Sequence, residues 1–199
     1  MRISLMQISI VDGEPERNVS RALAMLDSAD SADLYLLPEL WTTGYAHSIW
    51  EDAADRDTPD VLERLRMEAR DRGVWIGGSV ITRRSDGALT NRFHLLSPAG
   101  DMNAAYEKIH LFAPMGERDH LAAGTRRVRA AIGSWTAGLS LCYDLRFPGM
   151  YRQDALDGAN LFLVASEWPA EREEVLELLA RTRAAENQAY LALCNRTGP

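Results

Sequence analysis

The chain has 199 residues, of which 46% are hydrophobic and 26% are charged, a composition typical of a globular protein with one sizeable core. Its formal net charge of -7 gives it no general attraction for nucleic acid or for an anionic membrane, because both bind basic surfaces. We therefore expect small molecules or other proteins as partners, with no nucleic acid and no membrane among them.

The N-terminus and the cysteine content favour a cytoplasmic protein. The opening segment MRISLMQISIVDGE has no small-residue cleavage site, so it predicts a first strand rather than a signal peptide. No segment reaches the roughly 18 apolar residues that a membrane-spanning helix requires. Only two cysteines occur, Cys142 and Cys194, so no disulfide framework is indicated and either residue could be a working thiol.

Apolar strands alternate with one-faced helices over much of the chain, which indicates a sheet layer with helices outside it. A central block of antiparallel strands, marked by turn signals at 85–87 and 98–101, argues against a purely parallel, doubly wound fold. We predict one mixed α/β domain over residues 1–199. In chain order, the predicted elements are a strand at 2–10, a helix at 15–29, a strand at 33–37, a helix from Thr58 to Gly73, strands at 74–82, 88–97 and 102–108, a loop at 109–125, strands at 127–132 and 135–142, a short helix ending at Gly158, a strand at 160–166, a helix at 170–188 and a strand at 189–195.

Three polar residues stand where apolar strands end, namely Glu39, Lys108 and Cys142. Such positions at the carboxyl ends of strands often converge on one site. Taken singly, each has a structural interpretation, as a solvated carboxylate, a surface lysine and a small core residue. Together they offer a base, a cation and a thiol, and the tight turn after Cys142 leaves the Tyr143 N–H free for an oxyanion.

Five segments in order resemble the nitrilase, or carbon–nitrogen hydrolase, superfamily, over nearly the whole chain. Two of them, GLSLCYDLRFP and ASEWP, are similar in sequence to the ω-amidase and deaminated-glutathione-amidase branch. The segments are PELWTTGY (38–45), YEKIHLFAPMGE (106–117), GLSLCYDLRFP (138–148), ASEWP (165–169) and ARTRAAENQAYLALCNRTG (180–198).

The resemblance implies a four-layer α-β-β-α sandwich with mixed sheets, no metal and no organic cofactor. It implies Glu39 as base, Lys108 as oxyanion-stabilising cation and Cys142 as nucleophile, with Glu117 positioning the lysine and the attacking water. The activity it implies is hydrolysis of a small-molecule carboxamide, specifically an ω-amide of a short dicarboxylic acid. Association as a homodimer or higher homo-oligomer, through helices beside the sheet, is also implied.

The chain departs from the family pattern in two places. Relatives often carry His-Trp early in the long helix after the ASEWP segment, whereas this chain has Glu173-Glu174-Val175-Leu176, so one pocket wall is expected to differ. The family domain continues into further sheet, whereas this sequence stops at Pro199. We therefore expect either a fragment or a short C-terminal part, with an unpaired sheet edge that favours association.

Further residues near the motifs are candidates for the substrate pocket. These are Trp41, Tyr45, Arg146 and Trp168, although aromatic residues near strand ends more often serve packing. Arg146 could meet a substrate carboxylate, but we expect Asp144 and Arg146 to pair or to cap the turn after Cys142 instead. The histidines have no metal-ligand spacing, so no metal site is predicted; they are His47, His94, His110 and His120.

Other functions use the same residues. A nitrilase, an N-carbamoyl amine hydrolase or an amide-type acyltransferase would share Glu39, Lys108 and Cys142. A binding protein that retains the fold without turnover is an alternative of another class. A redox-sensing thiol protein would need a resolving cysteine, for which only Cys194 is present.

Overall fold

The computed structural model of the protein describes residues 1–198, so Pro199, where the sequence stops, lies outside the described residues. Strands and helices alternate in the first and last thirds of the chain, and antiparallel strands fill the middle. The strands are β1 (Ile3–Leu5), β2 (Leu34–Leu36), β3 (Trp75–Arg83), β4 (Leu89–Leu96), β5 (Met102–Glu107), β6 (Arg129–Ile132), β7 (Trp135–Leu141), β8 (Leu161–Ser166) and β9 (Tyr190–Asn195). The helices are α1 (Pro15–Ser28), α2 (Trp50–Asp52), α3 (Thr58–Arg72), α4 (Glu117–His120), α5 (Pro148–Leu156) and α6 (Glu173–Asn187).

The strands form two mixed sheets. The first is five-stranded in the order β1-β2-β3-β4-β5, with β1, β2 and β3 parallel and the last two pairings antiparallel. The second is four-stranded in the order β6-β7-β8-β9, antiparallel at β6–β7 and parallel from β7 onward. Because β2 and β5 run in the same direction within their sheet, their carboxyl ends lie along one edge.

Alternate side chains of β2 enter different parts of the core, as the period of two in a strand requires. Leu34 and Leu36 join a cluster that also contains residues of β7, β8 and α6, so it lies between the two sheets and extends to the second helix layer. Tyr35 packs instead with side chains of α1 and α3 on the outer face of the first sheet. The result is the α-β-β-α layering expected from the sequence.

Several element boundaries differ from the sequence-based predictions. The strand predicted over 2–10 ends at Leu5, because the N–H groups of Gln7 and Ile8 bond back to the carbonyls of Leu5 and Met6 at 3.0 and 2.8 Å, which takes the chain out of the sheet. Helical structure begins at His47, well before the predicted start at Thr58, in short turns that run into α3. The predicted loop at 109–125 contains a 3₁₀ turn and α4.

The helices are short or amphipathic. Helix α3 ends where Gly73 adopts a left-handed conformation, with φ of 66°, and its N–H returns to the last turn, as predicted from the sequence. Within the described part of the chain, no helix is both long and apolar enough to cross a bilayer.

Candidate active site

The ends of four strands bring the site together. Glu39 lies just beyond β2, Lys108 directly follows β5, Cys142 directly follows β7 and Glu167 directly follows β8. The Glu39 N–H reaches the carbonyl of Ser166 at 3.4 Å, which ties the end of one sheet to the end of the other. The sandwich therefore supports the site from both sheets.

Lys108 lies between two buried carboxylates. Its Nζ donates to Glu39 Oε1 at 2.8 Å and to Glu117 Oε1 at 2.7 Å. The Lys108 side chain and both carboxylate side chains have no solvent-exposed surface. Glu117 is held in turn by the hydroxyl of Tyr45, which donates to Oε1 at 2.9 Å, and by the N–H of Phe112, which donates to Oε2.

Glu39 is fixed at both of its oxygens. Besides Lys108, Oε1 accepts from the Asn91 side-chain amide at 2.8 Å, and Oε2 accepts from the Glu167 backbone N–H at 3.1 Å. Asn91 is the third residue of β4 and was not predicted, because it is one of several polar residues in a strand that is buried almost throughout. Its amide leaves Glu39 little freedom to turn away from Cys142.

Cys142 occupies a strained turn. Its φ is 40°, in the left-handed region that residues with side chains adopt rarely, and it opens the 3₁₀ turn Cys142–Arg146 at the end of β7. Tyr143, the next residue, has its N–H in the first turn of that helix, where no intrahelical acceptor exists. This geometry lifts the thiol out of the sheet and leaves a backbone donor beside it.

Asp144 anchors this turn to the segment that carries Lys108. Its Oδ2 accepts from the Leu141 N–H at 3.0 Å and from the Tyr106 hydroxyl at 2.7 Å. Its Oδ1 contacts His110, through the backbone N–H at 3.1 Å and through Nδ1 at 2.7 Å. The prediction that Asp144 and Arg146 pair or cap this turn is confirmed for the cap, which Asp144 forms with the Leu141 N–H, and is wrong for the pair. The Arg146 guanidinium lies instead 4.9 Å from the ring centre of Trp168.

Burial and mutual interaction set the proton affinities. Burial raises the pKa of Glu39, and Lys108 opposes this while Glu117 adds to it. Burial works against the Lys108 ammonium, but the carboxylates of Glu39 and Glu117 raise its pKa above the ordinary range. Burial is the main cause that raises the pKa of the Cys142 thiol well above its usual value, and the negative charge of Glu39 raises this pKa further. The resting site therefore holds a neutral thiol, a charged lysine and a carboxylate beside it.

A cavity opens onto the thiol. Of the predicted pocket residues, Tyr45, Arg146 and Trp168 line it, whereas Trp41 does not: that indole is 1% exposed and packs with Met6 and Ile8 in the core. Two charged wall residues were not predicted, Glu167 and Arg172. The described residues that line the cavity are Tyr45, Phe112, Met115, Cys142, Tyr143, Arg146, Glu167, Trp168, Pro169 and Arg172.

No metal centre accompanies this arrangement in the described residues. Across residues 1–198, no group of three or more His, Cys, Asp or Glu side chains is placed to hold a metal ion. A thiol beside a carboxylate and an ammonium, in a cavity at the strand ends of a two-sheet sandwich, suits nucleophilic attack on a carbonyl carbon. The fold and the site thus define a hydrolase of the cysteine-dependent type.

Comparison with known proteins identifies the family. The carbon–nitrogen hydrolase family matches residues 2–199. The 2-oxoglutaramate amidase of Bacillus subtilis is 33% identical over 197 residues, which are 98% of this chain and 76% of that protein. The ω-amidase YafV of Yersinia enterocolitica is 36% identical over 198 residues, which are 100% of this chain and 75% of that protein.

Comparison with solved structures leads to the same family. An amidase from Nesterenkonia sp. AN1, of the nitrilase superfamily, matches with a TM-score of 0.91 at 30% identity, over 100% of this chain and 77% of that chain. One form of it shows Michael addition of acrylamide at the active site cysteine. A CN-hydrolase superfamily protein from Xanthomonas campestris, with an arsenic adduct in its active site, matches with a TM-score of 0.90 at 33% identity, over 100% of this chain and 76% of that chain.

The chain belongs to the carbon–nitrogen hydrolase family, and it is an enzyme that acts on carbon–nitrogen bonds. The family, the fold class and the amide-hydrolysing activity predicted from the sequence are confirmed.

Proposed function

We propose that the chain hydrolyses the ω-amide of a short dicarboxylic acid, with Cys142 as the nucleophile. The observation that carries this proposal is the composition of one cavity, whose wall holds both the Cys142 thiol and the guanidinium groups of Arg146 and Arg172. A substrate of this class presents a carboxamide at one end and a carboxylate at the other. The thiol suits the first group and a guanidinium suits the second.

The reaction begins with transfer of a proton. Because the Cys142 thiol is neutral at rest, Glu39 takes its proton as the sulfur attacks the amide carbon. The resulting oxyanion is stabilised by Lys108 and by the N–H of Tyr143. Two of the three Lys108 N–H groups are engaged by Glu39 and Glu117 in the described part of the chain, so the third is available to the substrate oxygen.

Collapse of the tetrahedral intermediate releases ammonia. Glu39 returns its proton to the departing nitrogen, the carbon–nitrogen bond breaks, and a thioester remains on Cys142. Glu39, supported by Glu117 through Lys108, then takes a proton from water as the water oxygen attacks the thioester. The carboxylic acid leaves and the thiol recovers its proton, which completes a ping-pong cycle.

Local groups must provide the affinity for the substrate carboxylate. A net charge of -7 repels an anion at long range, so binding depends on short-range contacts in the cavity. Arg146 lies over the Trp168 ring, which fixes the plane of its guanidinium near the thiol. Relatives called 2-oxoglutaramate amidase and ω-amidase support the same substrate class.

Ammonia release tests the proposal. Succinamate and glutaramate, which carry a carboxylate, are compared with butyramide and valeramide, which do not. We expect kcat/KM to be at least about 100-fold higher for the carboxylate-bearing amides, the value of one or two charge-assisted hydrogen bonds. An equal or greater rate with neutral amides, nitriles or N-carbamoyl compounds would move the enzyme to another substrate class.

Two cysteine variants test the nucleophile. Cys142→Ala should abolish ammonia release, because no other described thiol lies in the cavity. Cys194→Ala is the matched control: this thiol is fully buried in β9, and its loss should leave kcat within about twofold of the wild type, since it creates only a small cavity. Retained activity in Cys142→Ala would contradict the assignment.

We also propose a homodimer or larger homo-oligomer in the cytoplasm. Both cysteines are free, which suits a reducing compartment. Large apolar side chains exposed on the second helix layer and on β9 support association.

A further inference from the structure

Glu167 has an unusual position in the cavity wall. It directly follows β8, and its side chain is only 6% exposed. One carboxyl oxygen, Oε1, binds the guanidinium of Arg196 at 2.5 Å. The other, Oε2, is buried and has no hydrogen-bond partner among the described residues. A buried polar atom without a partner is costly, and here it belongs to a residue that shares the cavity with Cys142.

The surroundings of Glu167 favour its protonated form. Burial raises the pKa of Glu167 to about 8; Arg196 opposes this, and the negative charges of Glu39 and Asp12 add to it. The other ionisable groups that line its cavity are Tyr45, Cys142, Tyr143, Arg146 and Arg172. The adjoining cavity adds the charged residues Asp12, Glu171, Glu173, Glu177, Arg181 and Arg196. Burial and these neighbouring negative charges therefore favour the carboxylic acid, which can donate one hydrogen bond, against the ion pair with Arg196.

We propose that Glu167 is a specificity-determining residue that binds the carboxylate of the substrate as a protonated acid, and that ionisation of Glu167 abolishes this contact. The inference rests on the proposed function, since it takes the anionic end of an ω-amide as its ligand. In the protonated state, Glu167 donates to the substrate carboxylate beside Arg146. In the ionised state, two carboxylates share a buried cavity, which repels the substrate.

This arrangement makes substrate recognition sensitive to pH without involving the reacting atoms. An amide that lacks a carboxylate gains nothing from the acid and loses little when the acid ionises. The apparent affinity for a carboxylate-bearing amide scales with the fraction of enzyme in which Glu167 is protonated. At each pH, the KM for a carboxylate-bearing amide divided by the KM for a neutral amide therefore reports the protonation of Glu167. Titration of Glu39, Lys108 or Cys142 affects both KM values alike and cancels in this ratio.

The experiment measures KM for succinamate and for butyramide from about pH 6.5 to about pH 9. In the wild type, the ratio of KM for succinamate to KM for butyramide should rise about tenfold between about pH 7 and about pH 9. Glu167→Gln keeps a neutral donor at this position, so its ratio should change by no more than about twofold over the same range. An unchanged rise in Glu167→Gln, or a flat ratio in the wild type, overturns the inference.

Two controls keep the result interpretable. Glu171→Gln removes a negative charge from an exposed residue outside the cavity, and it should retain the wild-type rise. Inhibition of wild-type butyramide hydrolysis by succinate needs no variant: its inhibition constant should rise about tenfold over the same range, and a constant value overturns the inference. Failure of the proposed function is distinct, because it appears at neutral pH as a lack of preference for succinamate over butyramide.

Discussion

In the proposed mechanism Glu39 is the base, and Glu117 affects catalysis through the proton affinity of Glu39. The two carboxylates share Lys108, and the charge of Glu117 raises the pKa of Glu39 beyond the effect of burial. Glu39 acts as a base only when ionised, so activity is lost as the pH falls through its pKa. Glu117→Gln should shift the acid limb of the kcat/KM profile to lower pH and lower kcat by about 100-fold, because the lysine is less firmly placed.

Tyr45→Phe is the control for this prediction. It removes the hydrogen bond to Glu117 but keeps the negative charge, so the acid limb should not move to lower pH. Steady-state kinetics over the acidic range compare the variants with the wild type. An acid limb that stays in place in Glu117→Gln would show that the carboxylates are not coupled through Lys108.

Residues of the site differ in how far the sequence predicts them. Glu39, Lys108 and Cys142 stand where apolar strands end, and that position is visible in the sequence. Glu167 obeys the same rule after β8 but lies among packing residues in its motif. Asn91 gives no signal because it is one of several polar residues in β4, which is buried almost throughout. Its role depends on which strand lies across from Glu39, which only the tertiary structure shows.

At the scale of elements, Asp144 connects the ends of two strands, one from each sheet. It accepts from the N–H of Leu141 in β7 and from the hydroxyl of Tyr106 in β5, and it is fully buried. Asp144→Asn puts an amide donor where these donors point. We expect a loss of about 3 kcal/mol in the free energy of unfolding, together with a fall in kcat, since Cys142 and Lys108 are no longer fixed relative to each other.

Asp157→Asn provides the matched comparison. The Asp157 side chain is 32% exposed and pairs with Arg127 and Arg129 at the surface, so its replacement should lower the free energy of unfolding far less than Asp144→Asn and leave kcat unchanged. Urea unfolding and ammonia release on both variants check the prediction. Equal effects of the two substitutions would contradict a special role for Asp144.

Element boundaries depend on contacts that a local pattern does not contain. The segment from Met6 to Ile10 has the composition of a strand, but after the Met6 N–H reaches the Leu36 carbonyl, the N–H groups of Gln7 and Ile8 bond to carbonyls two residues back. The reason is that β2 ends at Leu36, shortly before Pro38, and offers no further ladder. Helix α3 was predicted closely since Pro59 and Gly73 mark its ends. The helical turns from His47 lack such signals.

At the scale of the whole molecule, layering was predictable and the cavity was not. Strands that alternate with one-faced helices form sheets that are apolar on both faces. In β2, Leu34 packs between the two sheets, whereas its neighbour Tyr35 packs under the outer helices. Trp41 illustrates the converse: its motif lies beside the active site, but its indole packs in the core on the other side of the backbone. Which face a loop residue presents depends on backbone turns, such as the positive φ of 43° at Leu40.

The outer helix layer of the second sheet provides the basis for the proposed dimer. Leu156 in α5 and Leu178 in α6 are 64% and 65% exposed, large values for leucine side chains, and Tyr190 at the start of the edge strand β9 is 69% exposed. A twofold axis that buries such a surface against its own copy closes the assembly and covers the apolar area. We therefore expect light scattering at micromolar concentration to give twice the mass of one chain.

Substitution of one exposed apolar residue in each helix layer tests where the copies meet. Leu178→Glu places a charge in the proposed interface and should raise the dissociation constant of the dimer at least about tenfold, which light scattering detects on dilution. Met67→Glu changes another exposed apolar residue, 42% exposed on α3 in the opposite layer, and should leave the dimer intact. A wild-type monomer at micromolar concentration would refute association, while dissociation by Met67→Glu alone would place the interface on the first helix layer.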